Sequence, residues 1–252
     1  MSEHQKPDLG ALRQRLALIE RGGRRETSVL PFGVPALDEA LPGGGLALGA
    51  LHEIGGFAPA EEEGAEGASF LAGILARLLP KRPVLWCHLR ADLHAPGLAL
   101  HGLAPERLVL ARAGTEAELL WAMEEGLQCR ALAAVVGEVD GLSLTATRRL
   151  QLAAEASGVA AFALRRRRHA PPVGADEQPT AAVTRWRLAS LPSRQAGEPG
   201  LGPPLWHVEL LRCRGGRPGR WVMEAGDATG HVHLAAALAD RPVADRPRRA
   251  AG

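Results

Sequence analysis

Lysine, cysteine and long apolar runs are scarce in this chain, and each scarcity removes a class of function. Lys6 and Lys81 are the only lysines, so arginine carries almost all of the basic charge. Cys87, Cys129 and Cys213 are odd in number, widely spaced and form no CxxC pair, which argues against a disulfide framework and against a thiolate zinc site. The nine histidines do not cluster. His231 and His233 in "HVH" have the spacing of a strand metal pair, but no further ligand is near in sequence, so a solvated segment close to the tail is the preferred reading. No apolar run approaches the roughly 20 residues that span a bilayer. The opening "MSEHQKPDLGALRQRLALIE" is too polar for a secretory signal, and the expected location is the cytoplasm. No GxSxG or Cys-His-Asp pattern is present, and the carboxylate pairs fall mostly on helix faces, where solvation accounts for them.

What is present is a soluble globular composition. The 252 residues are 46% hydrophobic with a formal net charge of +2, enough for one substantial core. Three regions are expected: an N-terminal helix and linker over 1–27, a main domain over 28–236, and a solvated tail over 237–252. In the first, Leu9, Leu12, Leu16 and Ile19 recur at helical spacing with Arg13, Gln14 and Glu20 off the stripe. Two readings stand for that helix: it packs on its own domain, or it docks on a partner.

From Val29 the pattern changes. A turn-rich lead-in, "LPFGVPALDEALPGGGLALGALHEIGG", runs into a strand "ALHEI", and then elements alternate. A helix is expected over about 69–79, a strand over 83–89, and a helix or turn near Leu98. A strand over 107–112 and a helix over 115–129 follow, with Thr115 as cap and Glu118 in the first turn. "LAAVVGEV", 132–139, is continuously apolar, as a strand buried on both faces should be. A further helix ends at Gly158 and a strand "VAAFALR" follows. This alternation predicts an α/β fold, a mostly parallel sheet with helices on both faces. "RRRRHAPPVGADEQPT", 165–180, then reads as irregular. "AAVTRWRLAS", "LWHVELLRCRGG" and "RPGRWVMEAG" read as three antiparallel C-terminal strands.

The order of elements and the lead-in motif resemble the RecA-type core over about residues 28–230. Within that superfamily the chain is similar to the ImuA family, the SulA-like accessory proteins of bacterial damage-inducible mutagenesis cassettes. The "LHE" strand, the missing phosphate loop and the ending "LLRCRGGRPGRWVMEA" carry that likeness. The resemblance implies SOS-induced translesion DNA synthesis beside ImuB, a relative of Y-family polymerases, with an error-prone replicative-type polymerase. RecA itself and single-stranded DNA are further expected partners.

An active phosphate loop reads GxxxxGK[ST]: backbone N–H groups wrap the phosphates, lysine reaches the terminal one, and the hydroxyl holds magnesium. Here Gly55-Gly56 reads as the glycine turn and Gly67-Ala68-Ser69 as the match to GK[ST], with Ala68 where lysine belongs. Lys81 lies on the order of 18 Å further along the following helix. Glu61, Glu62, Glu63 and Glu66 crowd the loop, where carboxylates about 5 Å from a phosphate charge would repel it by about 1–3 kcal/mol each. They read as a solvated loop. The metal-associated acid of the resemblance falls near Gly137, with Glu138 and Asp140 out of register, and Asp92 is the candidate for its catalytic glutamate. The expectation is a vestigial nucleotide site, no cofactor, no metal and no ATPase activity.

The RecA-type core places a DNA-contacting loop after its fifth strand, which here is Arg165, Arg166, Arg167 and Arg168. Four adjacent cations suit sequence-independent phosphate contacts, and Arg212, Arg214, Arg217 and Arg220 are expected to extend the patch. Trp186 and Trp221, flanked by arginines, read either as stacking platforms or as half-buried strand residues. The leading expectation is a non-enzymatic adaptor. The alternatives are a divergent ATP-binding recombinase-like protein and a SulA-type cell-division inhibitor.

Overall fold

The computed structural model describes residues 28–57, 65–79, 81–166, 178–193 and 202–235. The N-terminal helix with Leu9, Leu12, Leu16 and Ile19, the tail over 237–252, Glu61–Glu63, and Arg167 and Arg168 lie outside the described residues.

The chain enters through a small hairpin, β1 (Val29–Leu30) pairing antiparallel with β2 (Leu46–Ala47), with the short helix α1 (Pro35–Asp38) between them. The lead-in motif is explained by this cap. Asp38 folds back so that its carboxylate accepts the N–H groups of Phe32 (2.7 Å) and Gly33 (2.9 Å), and Leu37 points into the core. Gly45 has to be glycine, because a Cβ there would lie 2.7 Å from the Leu30 carbonyl. Motif residues Asp38 and Gly45 therefore serve the architecture.

Strand β3 (Leu51–Gly56) follows, then helix α2 (Ala65–Arg77), β4 (Val84–His88), α3 (Ala95–Ala99), β5 (Leu108–Arg112), α4 (Glu116–Gln128), β6 (Ala134–Val139), α5 (Leu144–Ser157) and β7 (Ala160–Arg165). The chain ends in β8 (Thr184–Leu191), β9 (Leu205–Cys213), β10 (Gly219–Glu224) and β11 (His233–Leu234). Among the described residues these form one nine-stranded sheet in the order β11-β10-β9-β8-β3-β7-β6-β4-β5. Strands β5, β4, β6, β7, β3 and β8 are mutually parallel; β9, β10 and β11 are antiparallel additions. This is the mostly parallel α/β sheet expected from the alternation, and it is consistent with the RecA-like core that the resemblance implies. One detail differs: β8 pairs parallel with β3, so the antiparallel stretch begins one strand later than the sequence pattern suggested.

Local signals behave as their chemistry predicts. Thr115 caps α4 by accepting from Glu118 N–H, Ser143 caps α5 by accepting from Ala146 N–H, and Gly158 closes α5 at φ 81°. Helix α2 ends against Arg107, whose guanidinium donates to the carbonyls of Leu75, Ala76, Leu78, Leu79 and Arg82 at 2.8–3.3 Å. These are carbonyls at and just beyond the helix end, which has no following turn to satisfy them.

One core lies on the α1, α2 and α3 side, around Phe32, Phe70, Trp86, Phe162 and Trp186; the other lies under α4 and α5, around Leu119, Met123, Val135 and Leu150. Trp186 is 1% exposed, which settles it as a core residue. Its indole N–H donates to Thr184 Oγ1 at 2.7 Å. Thr184 Oγ1 lies 2.7 Å from His52 Nδ1, and His52 Nε2 lies 2.8 Å from the Ala47 carbonyl. Trp186 can only donate and the carbonyl can only accept, so Thr184 donates to Nδ1 and the proton of a neutral imidazole sits on Nε2.

Burial lowers the His52 pKa from 6.5 to about 4, against the opposing pull of the Ala47 carbonyl. Between these values the unfolded chain binds a proton that the folded chain refuses. Stability is therefore fully present above about pH 6.5 and falls as the pH drops toward 4, by about 3 kcal/mol. Urea unfolding at a series of pH values should show this slope, and His52→Gln should flatten it; an unchanged slope in the variant would exclude His52 as its source.

Candidate functional site

Parallel α/β sheets bind ligands at the carboxyl ends of their strands, and here Gly55, Gly56, Asp92 and Glu138 lie at or near that rim. Gly55 and Gly56 do not form a turn. They continue β3, with Gly55 level with Arg165 and Arg187 and Gly56 level with Leu188. Helix α2 begins at Ala65, earlier than expected, so Gly67, Ala68 and Ser69 lie inside the helix. Gly67 lets α2 sit close on the sheet: a Cβ there would be 3.1 Å from Leu164 and 3.7 Å from Ile54. Ala68 packs against the core instead of presenting a cation. Glu66, read as a solvated loop residue, is buried in the first turn of α2.

The acid positions are also resolved. Gly137 faces α4, where any Cβ would meet Met123 Sδ at 2.2 Å, so no acid fits there. Glu138, the next residue, points to the opposite face, the side of α2, and is 5% exposed. One oxygen accepts the Trp86 indole N–H at 2.8 Å and the other accepts Arg166 at 2.8 Å. Arg166 also grips Asp92 with two nitrogens, at 2.7 and 3.0 Å. Asp92 follows β4, Glu138 lies in β6 and Arg166 follows β7, so one guanidinium ties three adjacent strand ends together. The Arg166 hydrogen bond holds the Asp92 carboxyl below its ordinary value. Burial works against the Arg166 charge, but its bonds to Asp92 and Glu138 outweigh that, and its pKa is raised.

The other half of the "LHE" motif is absorbed in the same way. Glu53 is 2% exposed. It accepts from the Thr180 hydroxyl and from Arg185 Nε (2.8 Å), and Arg165 stands 3.7 Å away. Further along the sheet, Glu209 is 3% exposed. It binds Arg187 (2.5 Å) and Arg220 (2.9 Å), with His207 at 3.8 Å. Cross-strand pairing aligns Arg165, Gly55, Arg187, Glu209 and Arg220 in one row. Phe57 lies beside this row, with the Arg187 guanidinium 4.0 Å from its ring centroid and the His207 ring at 5.5 Å. Sequence reasoning did not find this row. The usable signal was strand parity, which puts Arg185 and Arg187 opposite the core residues Trp186 and Leu188.

The arginines expected at a DNA interface are thus dispersed. Arg165 and Arg166 turn inward to carboxylates. Arg212 and Arg214 lie on and just after β9, separated from β7 by β3 and β8. Arg214 donates to the Ala181 carbonyl at 2.6 Å. Of the arginines expected to extend the patch, Arg220 shares the row with Arg165. Among the described residues no group of three or more His, Cys, Asp or Glu is placed to hold a metal, and no helix is long and apolar enough to cross a membrane.

No protein-family model matches the chain. Protein ImuA of Caulobacter vibrioides strain NA1000 / CB15N is 43% identical over 235 residues, covering 90% of this chain and 96% of that protein, and the ImuA protein of strain ATCC 19089 / CIP 103742 / CB 15 matches to the same extent.

A buried carboxylate that loses its cation is left uncompensated, at about 3–5 kcal/mol. Arg166→Met should destabilise the protein by that order in urea unfolding. Adding Glu138→Gln, which removes the stranded charge but keeps an acceptor for Trp86, should recover part of the loss. Purely additive effects would contradict a direct Arg166–Glu138 pair.

Proposed function

The chain belongs to the ImuA family, and from that premise we propose that it is a non-enzymatic accessory protein of damage-induced mutagenesis, an adaptor with a RecA-shaped body. The reading rests most heavily on one arrangement. The two acids nearest to catalytic positions, Asp92 and Glu138, are both tied up by hydrogen bonds from Arg166, while Ala68 stands in place of the lysine that would hold a terminal phosphate. A magnesium–nucleotide complex needs free acids and a free cation at this rim. Among the described residues, Asp92 and Glu138 are already bonded to the Arg166 cation.

In this reading the protein acts through surfaces in SOS-induced translesion synthesis. Its partners are ImuB, RecA or both, together with the error-prone replicative-type polymerase. Contact with single-stranded DNA falls to Arg167 and Arg168, since Arg165 and Arg166 serve Glu53, Glu138 and Asp92. The N-terminal stripe of Leu9, Leu12, Leu16 and Ile19 is the proposed docking helix.

A strain lacking this gene should show a several-fold lower frequency of damage-induced mutation. A copy carrying Ser69→Ala, which deletes the hydroxyl at the magnesium-holding position, should restore it fully. A folded Ser69→Ala protein that fails to complement would contradict the non-enzymatic reading. Charge reversal at Arg167 and Arg168 should weaken single-stranded DNA binding and reduce its salt slope by about 0.7 per lost phosphate contact. Unchanged binding and mutagenesis in that variant would remove the DNA contact from this loop.

A further inference from the structure

The two edges of the sheet are built differently. At one, β11 is two residues long, a blunted edge of the kind that avoids strand pairing. At the other, β5 is five residues, LVLAR, with no proline and no lysine. Val109 and Leu110 are 49% and 48% exposed although they lie on opposite faces, opposite Leu85 and Trp86 of β4. Both sides of the edge are therefore apolar and open, which native edges usually are not.

The hydrogen-bond pattern shows which groups are on offer. Ala113 N–H donates to His88 carbonyl, and parallel pairing alternates with period two, so residues 109, 111 and 113 face β4. The N–H and C=O of Leu110 and Arg112 and the C=O of Leu108 then point outward; Leu108 N–H is taken by the Pro105 carbonyl. Among the described residues no strand covers them.

This edge is complementary to itself. In an antiparallel pairing centred on Leu110, Leu110 exchanges two hydrogen bonds with its symmetry mate. Arg112 N–H meets the Leu108 carbonyl of the second copy, giving two more. Leu110 packs on Leu110, and Val109 on Ala111. Arg112 falls opposite Leu108, so the guanidinia do not face each other. We infer that two copies of this chain associate through β5, extending the sheet across a two-fold axis. One short strand pair buries less than a standard interface of about 1,600 Å², so the dimer is concentration-dependent and not obligate.

The test uses the full-length protein, with sedimentation velocity across a wide concentration range and amide hydrogen exchange at each end of it. Expected are a monomer–dimer equilibrium and rising protection of the Leu110 and Arg112 amides with concentration, while Val109 and Ala111 stay protected throughout. Leu110→Pro deletes an outward donor without touching the β4 ladder, and Leu110→Lys places a charge at the two-fold; both should abolish dimerisation. The lysine variant covers the case in which the proline variant folds poorly. A protein that stays monomeric with fast exchange at Leu110 and Arg112 would overturn the inference. So would a monomer in which those amides are already protected, because another segment of the chain or no second copy would then fill the edge. A dimer whose Leu110 and Arg112 protection does not change with concentration would place the contact elsewhere and also overturn it.

Discussion

Glu138 is a nearly fully buried carboxylate at the end of a strand in the middle of the sheet, and in that position it needs a cation. Arg166 supplies it and spends the rest of its guanidinium on Asp92. The cluster is more than a local contact, because its three residues come from the ends of three neighbouring parallel strands. In a nucleotide-binding core the charges at this rim are balanced by a metal ion and a triphosphate. Here Asp92 and Glu138 share the guanidinium of the chain's own Arg166.

The same logic runs through the rest of the motif. His52 and Glu53 leave β3 on opposite faces, and each is fixed by partners from β8 or the segment before it: Thr184 for His52, Thr180 and Arg185 for Glu53. Asp38 and Gly45 shape the cap that precedes β3. Gly67 permits close packing of α2. Residues that resemble parts of a phosphate-site motif thus have roles in packing and charge compensation here.

The strand–helix alternation was legible because each element carries its own signal: a largely apolar run in β6, a capping threonine before α4, a terminating glycine after α5. What was not legible depends on register. A strand's side chains alternate faces, so a slip of one residue between Gly137 and Glu138 exchanges the interior under α4 for the rim beside α2. No local pattern says that Met123 already fills the first of those places. The inward turn of Arg165 and Arg166 was not legible for a related reason. Four adjacent cations read as a loop for phosphate contacts, but Arg165 still belongs to β7 and Arg166 follows directly, so both turn to carboxylates brought in from far along the chain. Glu66 was misread because α2 starts within the stretch that composition marked as loop. Long-range charge pairing, such as Arg166 with Asp92, leaves no trace at short sequence distance.

The most direct test of a rim closed by its own ion pairs is a calorimetric titration of the full-length protein with magnesium ATP and with a non-hydrolysable analogue, carried to millimolar ligand. The account predicts no saturable heat from either. Saturable binding would mean that Arg166 or a neighbouring arginine releases its carboxylates to take the phosphates, and the rim would then have to be treated as a working nucleotide site.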